Sequence, residues 1–290
     1  MILAPLRGVT IRCFREVFAD VIRDAGFSEA ITPFIAANAG YDPLKDRELV
    51  GRGRETEDGR SDLRITPQFI GKDPEALRTC LEKIKTAGFD TADLNAGCPY
   101  PMVRRKGRGS GLLRTPDVLR RMLEVGCETM GPGKFSLKTR LGFDRNDELL
   151  ALMPLINEFP LRFLTVHART ARQMYDGVCD AGAFERVFRV AKVPVVFNGD
   201  LAFPDPRSPI SDSPSLMIGR SFVRWLGSRD DSRELLRRYV AASQAELSGD
   251  VPVLGRMKEL LSYWRDLPGW TRRWGVVKMC RSVDELCRTI

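Results

Sequence analysis

The chain has 290 residues, 43% apolar and 29% charged, a composition that excludes disorder and collagen-like repeats and suits one large domain or two smaller ones. No apolar run approaches the roughly eighteen residues of a membrane span, and the start, MILAPLRGVT, lacks the basic and long apolar regions of a signal peptide, so a soluble cytoplasmic protein is expected. Lysine and arginine (46) outnumber aspartate and glutamate (38), and this net +8 favours a polyanionic partner. Seven scattered cysteines with no CxxC pair, beside a single histidine, argue against a zinc site and for reduced thiols.

In chain order, short apolar runs rich in β-branched residues predict strands at 1–6, 29–34, 65–70, 91–95, 135–139, 163–167, 193–197 and 216–218. Several are continuously apolar, as parallel strands covered on both faces are. Amphipathic stretches such as CFREVFADVIRDAG and DPEALRTCLEKIKTAG lie between them. The second carries its own limits: Asp73 as N-cap, Pro74 in the first turn and Gly88 just past the end. Eight alternations predict an α/β fold that closes as a (β/α)8 TIM barrel, and no GxGxxG follows the first strand to favour an open doubly wound sheet. The segment 201–215 holds four prolines and no helical period, so the seventh helix should be short or replaced by a loop. Beyond a boundary near Gly227 and Ser228, residues 229–290 read as helices only, at 231–247, 253–267 and 283–290, with twelve basic and nine acidic residues.

In such a barrel the site stands at the C-terminal ends of the strands. Those ends carry Pro5 and Arg7, Thr32, Gln68, Asn95 and Cys98, Lys138 and Arg140, His167 and Arg169, Asn198 and Asp200, and Gly219 and Arg220. Polar residues that merely begin loops explain any one of these, but poorly explain all of them. Asn198-Gly199-Asp200 and Gly219-Arg220 fit a phosphate cradle of freed backbone N–H groups and a guanidinium fork. Lys138 points into the barrel, where an ammonium needs an anionic partner unless it snorkels out. Gln68 either closes the third strand or donates to a ring. Cys98, between Gly97 and Pro99, is turned towards the mouth, and near its ordinary pKa of about 8.5 a thiol stays protonated and can serve as general acid. The following RRKGRGSG is either a solvated charge run or a basic lid.

The segments APLRGVT, QFIGKDP, DLNAGCP with GSGLL, LKTRLG, VHARTARQMYDG, FNGD and MIGR resemble the tRNA-dihydrouridine synthases in order and spacing. RMKELLSYW (256–264) extends the resemblance into the tail. It implies an FMN-binding TIM-barrel catalytic domain over 1–228 and a small C-terminal helical tRNA-binding domain over 229–290. It implies reduction of specific uridines in tRNA to 5,6-dihydrouridine, with NADPH or NADH as reductant and neither membrane nor obligate protein partner. By position, Cys98 matches the family's proton donor. Pro5, Leu6, Arg7, Gln68, Lys138, His167, Asn198, Gly199, Asp200, Gly219 and Arg220 match its FMN contacts, and Asn95 and Arg140 match the residues that hold the target nucleotide. Hydride would reach carbon 6 of a uracil drawn out of the RNA stack, and Cys98 would protonate carbon 5. Arg256, Lys258, Arg272, Arg273 and Lys278 are candidate RNA contacts, with a solvated helix face as the alternative. The chain departs from the family at Pro101, where many members carry lysine, and at Arg7, where a small or acidic residue is frequent. The residues leave open another FMN barrel reductase acting on a small pyrimidine or enone, and a non-catalytic RNA-binding relative.

Overall fold

The computed structural model describes residues 1–49, 63–210 and 215–290. Ten strand segments run parallel: β1 (Ile2–Leu3), β2 (Glu29–Ile31), β3 (Ile35–Ala36), β4 (Arg64–Thr66), β5 (Gln68–Ile70), β6 (Ala92–Ala96), β7 (Phe135–Gly142), β8 (Leu164–Thr170), β9 (Val195–Asn198) and β10 (Ser215–Ile218). Their order is β3-β5-β6-β7-β8-β9-β10-β1-β2-β4. The two ends meet, because β2 and β3 follow one another along one strand line, of which only 29–34 was predicted, and β4 and β5 along another, so eight strands close into a barrel. Pro33 and Pro67 make the interruptions, since proline has no N–H to give the ladder. The register shows the slip: Ile31 faces Thr66 while Ile35 faces Phe69, four residues against three. Thr32 mends it, its Oγ1 accepting the amide of Gln68 at 3.0 Å.

Side chains alternate between two cores with the period of the strands. Leu3, Ala30, Phe197 and Ile218 join the large outer core under the helices. Their neighbours Ile2, Ile31, Val196 and Met217, with Ala4 and Phe163, form a small separate cluster that fills the barrel interior.

The helix Pro74–Thr86 has the predicted limits: the Asp73 carboxylate accepts from the amides of Glu75 and Ala76, and Gly88 adopts φ +84°. Its face of Leu77, Leu81 and Ile84 is fully buried, each side chain contributing about 1.5–3 kcal/mol. The predicted helix at 13–26 is instead two, Arg12–Val17 and Ala19–Asp24, broken at the buried Phe18. No helix lies between 199 and 210, as the prolines lead one to expect; 211–214 lie outside the described residues.

After the last barrel helix, Arg220–Ser228, come Ser232–Glu246, Asp250–Ser262, Thr271–Met279 and Val283–Thr289, of which Thr271–Met279 was not foreseen. They are pinned to the barrel. Trp264 Nε1 donates to the carbonyl of Val223 at 2.6 Å, and Trp270 Nε1 to that of Gly227 at 2.9 Å. A Cβ on Gly227 would fall 2.4 Å from the Trp264 ring, so glycine is what lets the indole seat. Tyr239 packs on Phe14 and Phe18 at 6.0 and 5.5 Å between ring centroids. Among the described residues no helix is long and apolar enough to cross a membrane.

Candidate active site

The loop after β6 is built around Asn95. Its Oδ1 accepts the amides of Gly97 (3.1 Å) and Cys98 (2.9 Å), a turn that side-chain acceptors of this length make two and three residues on. The segment RRKGRGSG is ordered and clasps the same loop: the amide and hydroxyl of Ser110 both donate to the Cys98 carbonyl, at 3.1 and 2.9 Å. Gly109 makes this approach possible, with φ +56° and space for no Cβ, which would meet that of Cys98 at 2.8 Å. Cys98 is 7% exposed. Burial raises its thiol above the ordinary value, so it is protonated at neutral pH.

Lys138 and Arg140 stand two apart on β7 and share its inward face. Lys138 Nζ donates to Asn198 Oδ1 at 3.0 Å, and Asn198 Nδ2 to the Met217 carbonyl at 2.9 Å. Among the described residues no carboxylate makes a salt bridge with this ammonium; burial, then the neighbouring Arg140, lower its pKa to about 8 against the opposing charge of Asp93. Arg140 donates to the carbonyls of Gly97 (2.8 Å), Thr170 (3.0 Å) and Met174 (2.6 Å), and burial lowers it to about 10. Met174 reaches Arg140 with φ +50°, unusual for a residue with a side chain, and the turn sets Tyr175 between the guanidinium groups of Arg140 (5.4 Å) and Arg220 (4.9 Å).

His167 stands on β8 two residues before Arg169, on the same face of the strand. Burial, then the charges of Arg140, Lys138, Arg169 and Arg220, hold its pKa well below the usual value, so the imidazole is neutral. Arg169 Nη1 lies 3.2 Å from His167 Nε2; a guanidinium can only donate, which leaves the ring proton on Nδ1. Arg169 also binds both oxygens of Asp200, and Arg220 Nη2 reaches Asp200 Oδ1 at 3.1 Å. Burial alone would raise Asp200, but these two arginines outweigh it and keep the carboxylate ionised.

One cavity of about 360 Å³ at the strand ends gathers the sequence-predicted residues. Pro5, Leu6 and Arg7 line it from the loop after β1, Gln68, Asn95 and Cys98 from the next wall, then Lys138, Arg140 and His167, and finally Asn198, Gly199, Gly219 and Arg220. Thr32, Arg169 and Asp200 lie outside it, Asp200 in an adjoining cleft of about 540 Å³ that shares Gly199, Arg220 and Tyr263 with the cavity. Sequence reasoning missed Phe34, which lies under the Arg7 guanidinium at 5.2 Å, and Tyr100, Tyr175, Glu259 and Tyr263. Tyr175 stands in VHARTARQMYDG, a few residues past a strand end, where a local signal was present but unread.

The tail cations divide. Arg256 pairs with Glu246 at 2.7 Å, Lys258 donates to the Cys280 carbonyl at 2.8 Å, and Arg273 to that of Thr289 at 2.6 Å, so these three hold the tail together. Arg272 and Lys278 are exposed.

The fold and site define a parallel eight-stranded barrel with a cationic cavity and a buried thiol at its mouth. This chain belongs to the dihydrouridine synthase (Dus) family, whose profile matches residues 2–223. It is 30% identical over 224 residues to the tRNA-dihydrouridine synthase B of Vibrio cholerae serotype O1, covering 76% of this chain and 66% of that one. It is 29% identical over 234 residues to the tRNA-dihydrouridine(16) synthase of Ralstonia nicotianae, covering 77% and 69%. The chain thus spans just under two thirds of the first relative's length. Among solved structures it resembles an old yellow enzyme homologue from Zymomonas mobilis (TM-score 0.54, 12% identity, 77% of this chain and 85% of that one). It also resembles morphinone reductase in complex with tetrahydroNAD (TM-score 0.52, 12% identity, 77% and 83%). These two likenesses establish the fold alone.

Proposed function

We propose that this chain is a cytoplasmic, FMN-dependent tRNA-dihydrouridine synthase that reduces specific uridines of tRNA with NADPH or NADH. The observation that carries the reading is the convergence of Lys138, Arg140 and Arg220, with a protonated Cys98, on one cavity. A buried lysine with no carboxylate in salt-bridge contact suits an anionic occupant. The residues fit FMN: Gly219, which packs so close to Ala4 and Leu6 that a Cβ would fall 3.1 Å from Ala4, brings bare backbone to the cavity wall beside Arg220, where a phosphate can be held. Asn198, Gly199 and Asp200 complete that end, and Lys138 offsets negative charge on the ring system. Pro5, Leu6, Arg7, Gln68 and His167 line the rest. When bound, FMN supplies the hydride to carbon 6 of the uracil after taking it from the nicotinamide.

Cys98 keeps its proton on Sγ for carbon 5, and burial suits it to that task by disfavouring the thiolate. Asn95 and Arg140 orient the nucleotide. We assign residues 1–228 to the catalytic barrel and 229–290 to a helical tRNA-binding domain; Glu259 and Tyr263 of that segment line the cavity, which suits a substrate larger than a base. The test is anaerobic: protein reduced by NADPH is mixed with tRNA lacking dihydrouridine, and flavin oxidation and dihydrouridine are followed. Oxidation by tRNA and not by free uridine is expected. A protein that fails to bind added FMN overturns the reading.

A further inference from the structure

We propose that Asp93 is a positioning residue for Cys98, acting through a relay of two side-chain amides, Gln68 and Asn95. Asp93 is fully buried below the cavity and does not line it. It faces Gln68 across the β5–β6 pair and stands two residues before Asn95 on the same face of β6. Its Oδ2 accepts Gln68 Nε2 at 2.7 Å and its Oδ1 accepts Ser136 Oγ at 2.6 Å. Gln68 Oε1 then accepts Asn95 Nδ2 at 2.7 Å, and Asn95 Oδ1 accepts the amides of Gly97 and Cys98.

The relay has one sense, and the carboxylate sets it. An ionised carboxylate only accepts, so it fixes the NH2 end of Gln68, which fixes the oxygen that Asn95 meets. Reversing either amide would set donors against donors, ending with the Asn95 NH2 against the backbone N–H of Cys98. An inward strand position is ordinarily apolar, and burial, opposed by Ser136, Gln68 and Lys138, raises the Asp93 carboxyl to about 6. A group so disfavoured there has a task, and the connected atoms make it the orientation of the Cys98 loop.

The role of Cys98 in protonation rests on the function proposed above, so the test has one readout independent of it: the alkylation rate of the Cys98 peptide by iodoacetamide, followed by mass spectrometry. Asp93→Ala frees Gln68 to turn. Alkylation of Cys98 should accelerate as the loop loosens, and oxidation of reduced flavin by tRNA should slow roughly a hundredfold, as a small misplacement of a reacting group does. Flavin reduction by NADPH should slow far less than this, since Cys98 takes no part in it. Asp93→Asn removes the charge but keeps the relay: its Oδ1 faces Gln68, and its Nδ2 faces Ser136, whose proton turns to the Ala92 carbonyl 3.3 Å away. It should alkylate and turn over as wild type does. Should Asp93→Ala fail to fold, Gln68→Met cuts the relay at its centre and should also accelerate alkylation. Wild-type alkylation in a folded Asp93→Ala or Gln68→Met protein, or an Asp93→Asn protein as impaired as Asp93→Ala, would overturn the proposal. Changed alkylation without any tRNA-dependent oxidation in the wild type would sustain the relay and overturn only the function.

Discussion

Replacing Lys138 by methionine should stabilise the ligand-free protein while weakening its hold on FMN. The ammonium sits in the barrel with Asn198 as its hydrogen-bond partner, and its pKa is lowered from 10.5 to about 8. At about 1.36 kcal/mol per pH unit, that drop means the charged form costs the native state roughly 3 kcal/mol. Methionine removes the cost but leaves Asn198 Oδ1 without a donor, a loss of about 1 kcal/mol. The net gain is about 2 kcal/mol, or roughly 4–8 °C in Tm for a chain of this size. Below pH 8 the lysine is charged in both folded and unfolded states, and the cost is present in full. Between pH 8 and 10.5 the native state releases its proton first, so the advantage of the variant must fade, by more than half of the cost at pH 9.5. Urea unfolding of apoprotein at pH 7 and 9.5 reads this change. A variant less stable than wild type at pH 7, or a difference equal at both pH values, would refute the account of Lys138 as a buried cation whose charge costs the ligand-free protein stability.

Arg220→Ala removes a charge-assisted bond of about 1.5–3 kcal/mol, so FMN should bind roughly ten- to a hundredfold more weakly by fluorescence titration, with Asp200 still held by Arg169. Cys98→Ala should retain FMN, tRNA affinity and reduction by NADPH, while stopped-flow oxidation of its flavin by tRNA slows about a hundred- to ten-thousandfold; an unchanged rate ends the proton-donor assignment. Arg272→Glu and Lys278→Glu, at the exposed cations of the tail, should each weaken tRNA binding and reduce its salt dependence by about one in slope, whereas Arg256→Glu should instead lower Tm, because Arg256 is tied to Glu246.

Much of this was legible in the chain because barrel strands obey short-range rules. A continuous apolar run, a helix begun by Asp73 and ended by Gly88, and polar residues at the C-terminal strand ends are local signals, and all three kinds placed their elements correctly. The interruptions at Pro33 and Pro67 were equally local and went unread, because a slip of four residues against three exists only between strands. Tertiary partners were the hidden part. Arg256, Lys258 and Arg273 look like solvated cations in sequence, yet each finds a carboxylate or carbonyl on another part of the tail. Glu259 and Tyr263 were invisible as cavity residues, since nothing in their own helix says that it will lean over the barrel mouth. Asn95 was read for its outward task, and its inward bonds to Gln68, Gly97 and Cys98 needed coordinates.

The helix Arg220–Ser228 is attached at its start, its middle and near its end. Its first residue reaches Asp200 beside the cavity, while the carbonyls of Val223 and Gly227 receive the indoles of Trp264 and Trp270. A nine-residue helix is too short to flex between these points, so it behaves as a strut: whatever shifts the tryptophans tilts Arg220. The C-terminal helices are therefore poor candidates for exchange between relatives as an interchangeable module. A grafted tail would have to reproduce two indole donors at the right height on this strut, and the glycine that admits one of them, or the arginine at the far end would no longer stand where the cavity places it.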